Sequence, residues 1–212
     1  MQLYGYFRSS AAYRVRIALN LKGVTVEHIP VGLRQQEQAG AAFLQVNPQG
    51  LVPVLVDGEH RLSQSLAIIE YLEERFPSPP LLPSESADRA RVRAVAQAIA
   101  CEIHPLNNLR TLRHIKNSFG LDEEGVNRWY RHWIAEGLAG LEAYLVAARL
   151  AGRYCHRDQV TLADCCLVPQ VFNAQRYACE LAPYPTILRV FDACMQLEAF
   201  IAAQPSRQPD AA

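Results

Sequence analysis

Two pairs of polar residues open predicted helices, and both pairs could hold an anion. Ser9 and Ser10 follow a short apolar stretch and precede a helix whose apolar residues recur at three- and four-residue spacing. Gln64 and Ser65 begin a second such helix. The free N–H donors and the positive dipole end of a first helical turn stabilise a thiolate or a carboxylate. The alternative for Ser9 and Ser10 is that they only cap their helix.

The elements that position these pairs form a small α/β unit over residues 1–76. Apolar alternation and turn residues predict the order βαβαββα. The predicted segments are strand 3–6, the helix after Ser9, strand 25–30, loop 31–40, helix 41–46, strand 52–56, strand 60–62 and the helix after Gln64. A right-handed crossover makes the first two strands parallel, and the Asp57-Gly58 turn makes the last two antiparallel.

Pro53 is unusual because it heads an otherwise central strand and cannot donate a ladder hydrogen bond. A cis Val52–Pro53 bond would turn the backbone N–H and C=O of Val52 outward, where an extended peptide could pair with them. A trans proline at the start of an edge strand is the alternative.

A domain boundary is predicted at residues 77–83, which hold four prolines. The expected domains are 1–80 and 87–212, and the second is predicted to be helical throughout. Within it, Thr161 and Asp164 form a capping-box pattern in front of an apolar helix.

Composition excludes several classes of protein. The 212 residues are 50% hydrophobic, and Lys+Arg and Asp+Glu are equal at 21, which leaves no basic field for nucleic acid or a membrane surface. There is no apolar run of 18 residues and no leader pattern, so a cytoplasmic protein is expected. The six cysteines lack C-x-x-C spacing and are expected to be reduced and mostly buried. Neither H-x-x-x-H nor H-E-x-x-H occurs, so no metal site is expected.

The chain also resembles a known family over nearly its whole length. The segments that carry the resemblance are FRSSAAYRVRIALNLKG, NPQGLVPVL, QSLAIIEYLEERFP, IHPLNNLR, TLADCCLVPQVFNAQRY and LAPYPTI, in this order. They resemble the zeta class of glutathione transferases, which includes the maleylacetoacetate and maleylpyruvate isomerases. The resemblance implies a thioredoxin-like N-terminal domain that binds glutathione, an all-helical C-terminal domain and a homodimer.

The resemblance also implies roles for individual residues. Ser9 matches the serine that holds the glutathione sulfur, flanked by Arg8, Ser10 and Ala11. The remaining glutathione contacts are implied for Gln64 and Ser65 at the γ-glutamyl end, Val52 and Pro53 at the cysteinyl part, Gln38 near the glycyl end, and Gln49. Residues implied to face the substrate are His104, Asn108, Arg110 and Arg176.

The sequence departs from the family pattern at Ala11, where the family motif Ser-Ser-Cys has cysteine. Mixed disulfides and proton transfer by a thiol at that position are therefore excluded. Activity is expected to survive, because the glutathione sulfur itself is the nucleophile.

The implied reaction is cis–trans isomerisation of a maleyl oxo acid, in which reversible thiolate addition allows rotation about the former double bond. Lowering a thiol pKa of about 8.5 by about 2 units requires roughly 2.7 kcal/mol. A hydrogen bond to a charged acceptor contributes roughly 1.5–3 kcal/mol and a helix end up to about 1 kcal/mol, so Ser9 and its helix suffice. Arginines at positions 8, 110 and 176 suit a dicarboxylate-like substrate because their donors are forked.

Alternatives remain open at this stage. A transferase or dehalogenase acting on α-halo acids would use the same thiolate and carboxylate anchors. A thioredoxin-like redox protein is disfavoured because residues 9–12 hold no thiol pair, and a non-catalytic protein on the same scaffold is the third class. Individually, Arg110 and Arg176 could be surface residues, Asn108 could satisfy a backbone group, and His104 could end a helix.

Overall fold

A computed structural model describes residues 1–149 and 151–211. They form two compact units. The first comprises Met1–Leu81 together with the residues from Met195 onward, and the second comprises Leu82–Cys194.

The first unit contains a four-stranded sheet. Its strands are β1 (Gln2–Gly5), β2 (Glu27–Pro30), β3 (Val54–Asp57) and β4 (His60–Ser63). Their order across the sheet is β2-β1-β3-β4, with β1 and β2 parallel and the other neighbours antiparallel. The predicted parallel pair and the predicted hairpin are both confirmed.

The helices follow the predicted order. They are α1 (Ser10–Leu21), α2 (Ala41–Leu44), α3 (Ser65–Arg75), α4 (Ser86–Gln97), α5 (Leu109–Phe119), α6 (Glu123–Ala148), α7 (Leu162–Arg176), α8 (Pro185–Cys194) and α9 (Glu198–Ala202). The thioredoxin-like βαβαββα arrangement of the N-terminal part and the largely helical second unit are thus confirmed. Across residues 1–149 and 151–211, no helix combines the length and the apolar character needed to cross a membrane.

Two faces of the sheet are covered by different elements. Tyr4 lies beside Val54, and both pack with Phe43 of α2. Because side chains alternate along a strand, Leu3 and Leu55 point to the opposite face, where both are buried. Helix α1 lies on that face, since a Cβ at Gly5 would be 3.4 Å from the Ala12 Cβ.

The third strand is shorter than predicted. The Val52–Pro53 bond is cis, as is Ser78–Pro79, and β3 begins only at Val54. Pro53 has no N–H to donate, which explains why the ladder starts after it. The second strand likewise begins at Glu27, two residues later than predicted.

In its described part, the second unit consists of helical segments and loops. Its only β-type pairing there is an isolated bridge between His156 and Gln159. Helix α4 continues as a π-helix over Ala98–Ile103 and a 3₁₀ turn over His104–Asn107. Gly137 of α6 permits the close approach of this segment, since a Cβ there would be only 2.3 Å from the Ile103 side chain. The predicted capping box of Thr161 and Asp164 at the start of α7 is confirmed.

The C-terminal segment is the main difference from the sequence-based division. The expected second domain, 87–212, includes α9, whereas α9 belongs to the first compact unit. It is held on α1 by hydrogen bonds from the Asn20 amide to the Ala199 carbonyl (2.9 Å) and from the Tyr13 hydroxyl to the Phe200 carbonyl (3.4 Å). The domain boundaries at 1–80 and 87–212 stay a prediction.

Candidate active site

The strand register brings the predicted glutathione-binding residues to one end of the sheet. Tyr4 of β1 pairs with Val54 of β3, and Val54 pairs with Ser63 of β4. Ser9 follows β1, Val52 precedes β3 and Gln64 follows β4. The three segments therefore leave or enter the sheet at the same end.

Ser9 caps helix α1 and still has a proton to donate. Its Oγ accepts a hydrogen bond from the Ala12 N–H at 3.2 Å, and its own N–H donates to the Tyr6 carbonyl at 2.9 Å. A serine hydroxyl has two lone pairs and one proton, so capping occupies only an acceptor position. Capping and anion binding by Ser9 are therefore compatible.

The residues around Ser9 differ in exposure. Ser10 is the buried first residue of α1, and Ala11, which follows it, is half-buried. Arg8 is exposed, and its guanidinium lies 4.9 Å from the centre of the Phe7 ring. An exposed arginine beside a buried serine can approach a bound anion from the solvent side.

Three glutamines lie close together near the start of α3. The Gln64 amide donates to the Gln49 side-chain oxygen at 3.0 Å. Gly50 has a φ of 62°, and a Cβ there would lie 3.1 Å from the Gln38 carbonyl oxygen, so this turn requires glycine. Gln64 itself has a φ of 71°, a conformation that non-glycine residues adopt rarely and that is concentrated at functional sites.

Val52 and Pro53 lie at the head of β3. Pro53 is buried and Val52 is half-buried. Within the two described ranges, neither the N–H nor the C=O of Val52 takes part in a backbone hydrogen bond. Both groups are therefore available to an extended peptide.

Ser65 accepts a hydrogen bond from Arg14, a residue that the sequence analysis did not single out. The Arg14 guanidinium donates from Nη1 to the Ser65 Oγ at 3.2 Å, and both side chains are buried. Arg14 lies on the buried face of α1, one helical turn after Ser10. An arginine at i+4 within a buried helix face was the available signal, but 19 of the 21 basic residues are arginine, so a single arginine carries little weight in the sequence alone.

In the second unit, Asn108 caps helix α5. Its Oδ1 accepts from the Arg110 N–H at 3.1 Å, so the backbone role considered for Asn108 is present. Arg110 is the exposed second residue of α5, and half-buried His104 begins the preceding 3₁₀ turn. These three predicted residues thus lie along one continuous segment.

Arg176 is the last residue of α7 and is supported by Tyr177, which sequence reasoning also missed. The Arg176 Nη2 donates to the Tyr177 hydroxyl at 3.1 Å, and its guanidinium lies 4.8 Å from the centre of that ring. The Tyr177 ring stacks on Tyr130 with centroids 3.5 Å apart. The Asn107 amide donates to the Tyr130 carbonyl at 3.4 Å, so Tyr130 connects the His104–Arg110 segment to Arg176. Burial raises the pKa of Tyr130, which keeps this phenol neutral.

The helices that carry the candidate residues are suited to anions. Helices α1, α3 and α5, all in the described part of the chain, have no acidic residue in the first turn. The same holds for α2 and α8, whereas α4, α6, α7 and α9 have at least one. The positive ends of α1, α3 and α5 are therefore not neutralised by a carboxylate of their own.

The protein's own thiols are poor candidates for the nucleophile. All six cysteines are free, and four of them are buried. Burial raises the pKa of Cys155, Cys165 and Cys194, so their sulfurs stay protonated near neutral pH. No cluster of three or more His, Cys, Asp or Glu residues that could hold a metal occurs among the residues described.

The chain is similar to known proteins over its full length. Residues 3–80 match the family model of the glutathione S-transferase N-terminal domain. A probable maleylacetoacetate isomerase of Vibrio cholerae is 50% identical over 211 residues, covering 99% of this chain and 97% of its own. The holo structure of a maleylpyruvate isomerase, described as a bacterial zeta-class glutathione S-transferase, superposes with a TM-score of 0.98 at 48% identity over the full length of both chains.

A further solved structure contains a ligand. It is the maleylacetoacetate isomerase of Anaeromyxobacter dehalogenans with dicarboxyethyl glutathione and citrate in its active site, with a TM-score of 0.88 and 45% identity over 100% of this chain and 97% of that one. The fold and these matches define a glutathione transferase. Within that family, the chain belongs to the zeta class, together with the maleylacetoacetate and maleylpyruvate isomerases.

Proposed function

We propose that the protein is a glutathione-dependent cis–trans isomerase of a maleyl oxo acid, with maleylacetoacetate as the first candidate substrate. The observation that carries the proposal is that the segments of Ser9, Val52 and Gln64 meet at one end of the sheet, on a chain that is 50% identical to a probable maleylacetoacetate isomerase over 99% of its length. The product would be the fumaryl isomer.

The residues present fit glutathione. A tripeptide with a thiol and two carboxylates needs donors for its anionic groups and backbone partners for its cysteinyl residue. The Ser9 and Ser65 hydroxyls each accept one hydrogen bond within the protein and keep a proton to donate, and the backbone N–H and C=O of Val52 make no backbone hydrogen bond within the described residues. No acidic residue in the first turns of α1 and α3 opposes an anion.

Each part of the tripeptide is assigned its own group of residues. Ser9, with Ser10 and the backbone of Ala11, would hold the sulfur, and Val52 before Pro53 would pair with the cysteinyl backbone. The γ-glutamyl and glycyl ends would be held by Gln64, Ser65, Gln49 and Gln38. When bound, glutathione supplies a thiolate that adds reversibly to the maleyl double bond.

The chain's contribution to this chemistry is to stabilise charge. A hydrogen bond from Ser9 to an anionic sulfur contributes roughly 1.5–3 kcal/mol, and the end of α1 up to about 1 kcal/mol more. Together they can lower a thiol pKa by about 2 units, which requires roughly 2.7 kcal/mol. The thiolate would then predominate near neutral pH.

The substrate carboxylates and the charge that develops on the oxo-acid oxygen require cationic donors. In the second unit we assign this role to Arg110 and Arg176, with His104 and Asn108 as further substrate contacts, and in the first unit we assign it to Arg8. Guanidinium groups present paired donors that match a carboxylate, and they remain charged at every physiological pH. Arg176 is catalytic in this proposal because it would contact the reacting oxo acid.

A maleylpyruvate isomerase is the second candidate, favoured by the TM-score of 0.98 to a structure with that name. The two substrates differ by a short extension of the oxo acid. An α-halo-acid transferase would use the same anchors but would consume glutathione. We further propose a homodimer and a cytoplasmic location, the latter supported by six free thiols.

The test is a spectrophotometric assay with maleylacetoacetate and maleylpyruvate, each with and without a catalytic amount of glutathione. The expected result is fumaryl product without net loss of glutathione, and the ratio of rates identifies the substrate. Stoichiometric loss of glutathione on α-halo acids, with no turnover of either maleyl substrate, would replace the isomerase with the transferase.

A further inference from the structure

A buried arginine lies behind the candidate carboxylate-binding serine. The Arg14 residue is 2% exposed and Ser65 is 6% exposed. The Arg14 Nη1 donates to the Ser65 Oγ at 3.2 Å, which joins the interior of α1 to the first residue of α3. The neighbouring Arg16 has a different task, because it donates to the carbonyls of Phe7 and Ala203.

We propose that Arg14 is a positioning residue that fixes the direction of the Ser65 hydroxyl, so that this hydroxyl donates to a carboxylate at the start of α3. The proposal rests on the proposed function, in which the γ-glutamyl end of glutathione occupies that place. Arg14 does not touch the ligand; it acts through Ser65.

The chemistry of the Arg14 guanidinium and the Ser65 hydroxyl determines which of them donates the hydrogen bond. A guanidinium has donors only, so the Ser65 hydroxyl can accept from Arg14 but cannot donate to it. One lone pair is occupied on the buried side, and the single proton is left for a partner elsewhere. A hydroxyl that accepts from a charged donor is also polarised and becomes a stronger donor.

This arrangement selects the chemical class of the ligand group. A hydroxyl free to rotate could accept from an ammonium as readily as it donates to a carboxylate. With its proton directed away from Arg14, Ser65 can donate to an acceptor. Its second lone pair remains, but the positive charge of Arg14 disfavours an ammonium there, so an anionic acceptor is favoured most. Arginine suits this role better than lysine, because its planar fork is rigid while the ammonium is a flexible point charge.

The experiment compares two ligands that differ in one group. Glutathione and γ-aminobutyryl-cysteinylglycine are identical except for the α-carboxylate of the γ-glutamyl residue. Dissociation constants for both are measured by calorimetry with the full chain and with the variants Arg14→Met, Arg14→Lys, Ser65→Ala and Arg14→Met/Ser65→Ala.

The expected result is selective. Arg14→Met weakens glutathione about tenfold, which corresponds to one hydrogen bond to a charged group, and changes the analogue less than about twofold. Arg14→Lys restores part of the loss. The double variant binds glutathione no more weakly than Ser65→Ala alone, because Arg14 acts through that hydroxyl. Tyr13→Phe, which removes a buried hydrogen bond from the same helix, is the matched control and changes neither dissociation constant.

Equal weakening of both ligands by Arg14→Met, or additive losses in the double variant, would overturn the assignment and leave Arg14 a structural residue. Should Arg14→Met not fold, the ¹⁵N resonances of the Arg14 side chain in the unmodified protein replace it. These should move on adding glutathione but not the analogue, and identical responses count against the proposal. If the wild-type protein binds neither ligand, the proposed function itself is wrong. If it binds glutathione but Arg14→Met weakens both ligands equally, only the role of Arg14 is wrong.

Discussion

At the scale of single residues, Ser9 and Ser65 share one arrangement. Each Oγ accepts from a donor inside the protein, the Ala12 N–H for Ser9 and the Arg14 guanidinium for Ser65. Each therefore has a proton left for a ligand. The arrangement couples stability to function, because the same atom serves the helix and the bound anion.

Two substitutions of Ser9 can separate these effects. Ser9→Ala and Ser9→Gly both remove the hydroxyl, so both should lower kcat/KM by roughly ten- to hundredfold near pH 7. Their effects on the free energy of unfolding should differ, with about 1 kcal/mol lost for alanine and only a few tenths for glycine, which is tolerated as a cap. Steady-state kinetics and urea denaturation measure the two quantities.

The activity of the Ser9 variants should depend on pH in a defined direction. Without the Ser9 hydrogen bond the thiol pKa rises, so the activity of both variants should recover as pH increases, and their loss should shrink at alkaline pH. Ser9→Thr, which keeps the hydroxyl, is the matched control. A loss of activity that stays constant across pH would show that Ser9 does not stabilise the thiolate.

Tyr177 permits a second test at this scale. Its hydroxyl accepts from Arg176, while its ring stacks on Tyr130. Tyr177→Phe keeps the stacked ring and removes only the acceptor, so Arg176 should lose orientation. We expect KM for the maleyl substrate to rise about fivefold, equivalent to about 1 kcal/mol, with the glutathione dissociation constant unchanged. Tyr184→Phe, which removes the bond to the Ala135 carbonyl, is a control on the second unit, and an equal effect there would contradict the role of Tyr177.

Sequence reasoning found the candidate ligand-binding residues at element junctions and missed the residues that hydrogen-bond to them. Ser9, Gln64 and Ser65 stand at element junctions, where pattern and turn residues are informative. Arg14 and Tyr177 act through a contact with another element or a neighbouring ring, and such contacts follow from packing that no local pattern specifies. The lone-pair geometry of Ser65 depends on how α1 and α3 cross, which the sequence does not encode locally.

At the scale of elements, the C-terminal segment fixes the turn that leads to Ser9. The Asp210 carboxylate accepts from the Phe7 N–H at 2.9 Å, and Arg16 donates to the Phe7 carbonyl at 3.0 Å and to the Ala203 carbonyl at 3.0 Å. Burial lowers the pKa of Arg16 to about 10, and it remains charged at neutral pH. Phe7 is therefore held on both sides by groups outside its own strand and turn.

His28 of β2 is influenced by the charges of Arg16 and Asp210, the two groups that hold Phe7, and it makes the stability of the fold depend on pH. Burial, and then the charge of Arg16, lower the pKa of His28, while Asp210 opposes the shift. Below a pH of about 6.5 the unfolded chain binds more protons at this histidine than the folded chain does. The contribution of His28 to stability is therefore fully present above that pH and is lost as the pH falls from there through the lower pKa of the folded state.

The expected outcome is that His28→Gln flattens the fall in unfolding free energy between pH 7 and pH 5, while Asp210→Asn steepens it by removing the charge that raises the histidine pKa. Urea denaturation at several pH values gives the measurement. His60→Gln, on the exposed strand β4, serves as the control. Identical slopes for wild type and His28→Gln would contradict the prediction.

At the scale of the whole molecule, the order of the elements follows from local sequence signals, whereas the membership of the two compact units does not. Strand order, the hairpin and the helical second part all follow from local periodicity, turn residues and the handedness of the crossover. The residues from Met195 onward belong to the first unit because α9 packs on α1. This contact joins residues that are more than 170 positions apart in the sequence. Such a contact leaves no local signal.

The two units also divide the candidate residues by chemistry. Those assigned to glutathione lie in the first unit, and those assigned to the substrate lie in the second, with the exception of Arg8 in the first unit. The substrate residues of the second unit are His104, Asn108, Arg110 and Arg176. If, apart from Arg8, each unit binds one reactant, Gln64→Ala should raise the glutathione dissociation constant about tenfold and leave KM for the maleyl substrate within about twofold at saturating glutathione.

Arg176→Ala should have the reverse pattern, since it removes a charged partner of the substrate. Arg176→Lys is the matched control, because it keeps the charge but loses the forked donors, and it should restore only part of the affinity. Calorimetry with glutathione and initial rates at saturating glutathione measure the two reactants separately. A weaker glutathione affinity in Arg176→Ala would show that this arginine also serves the first reactant, and the division of tasks between the units would then be wrong.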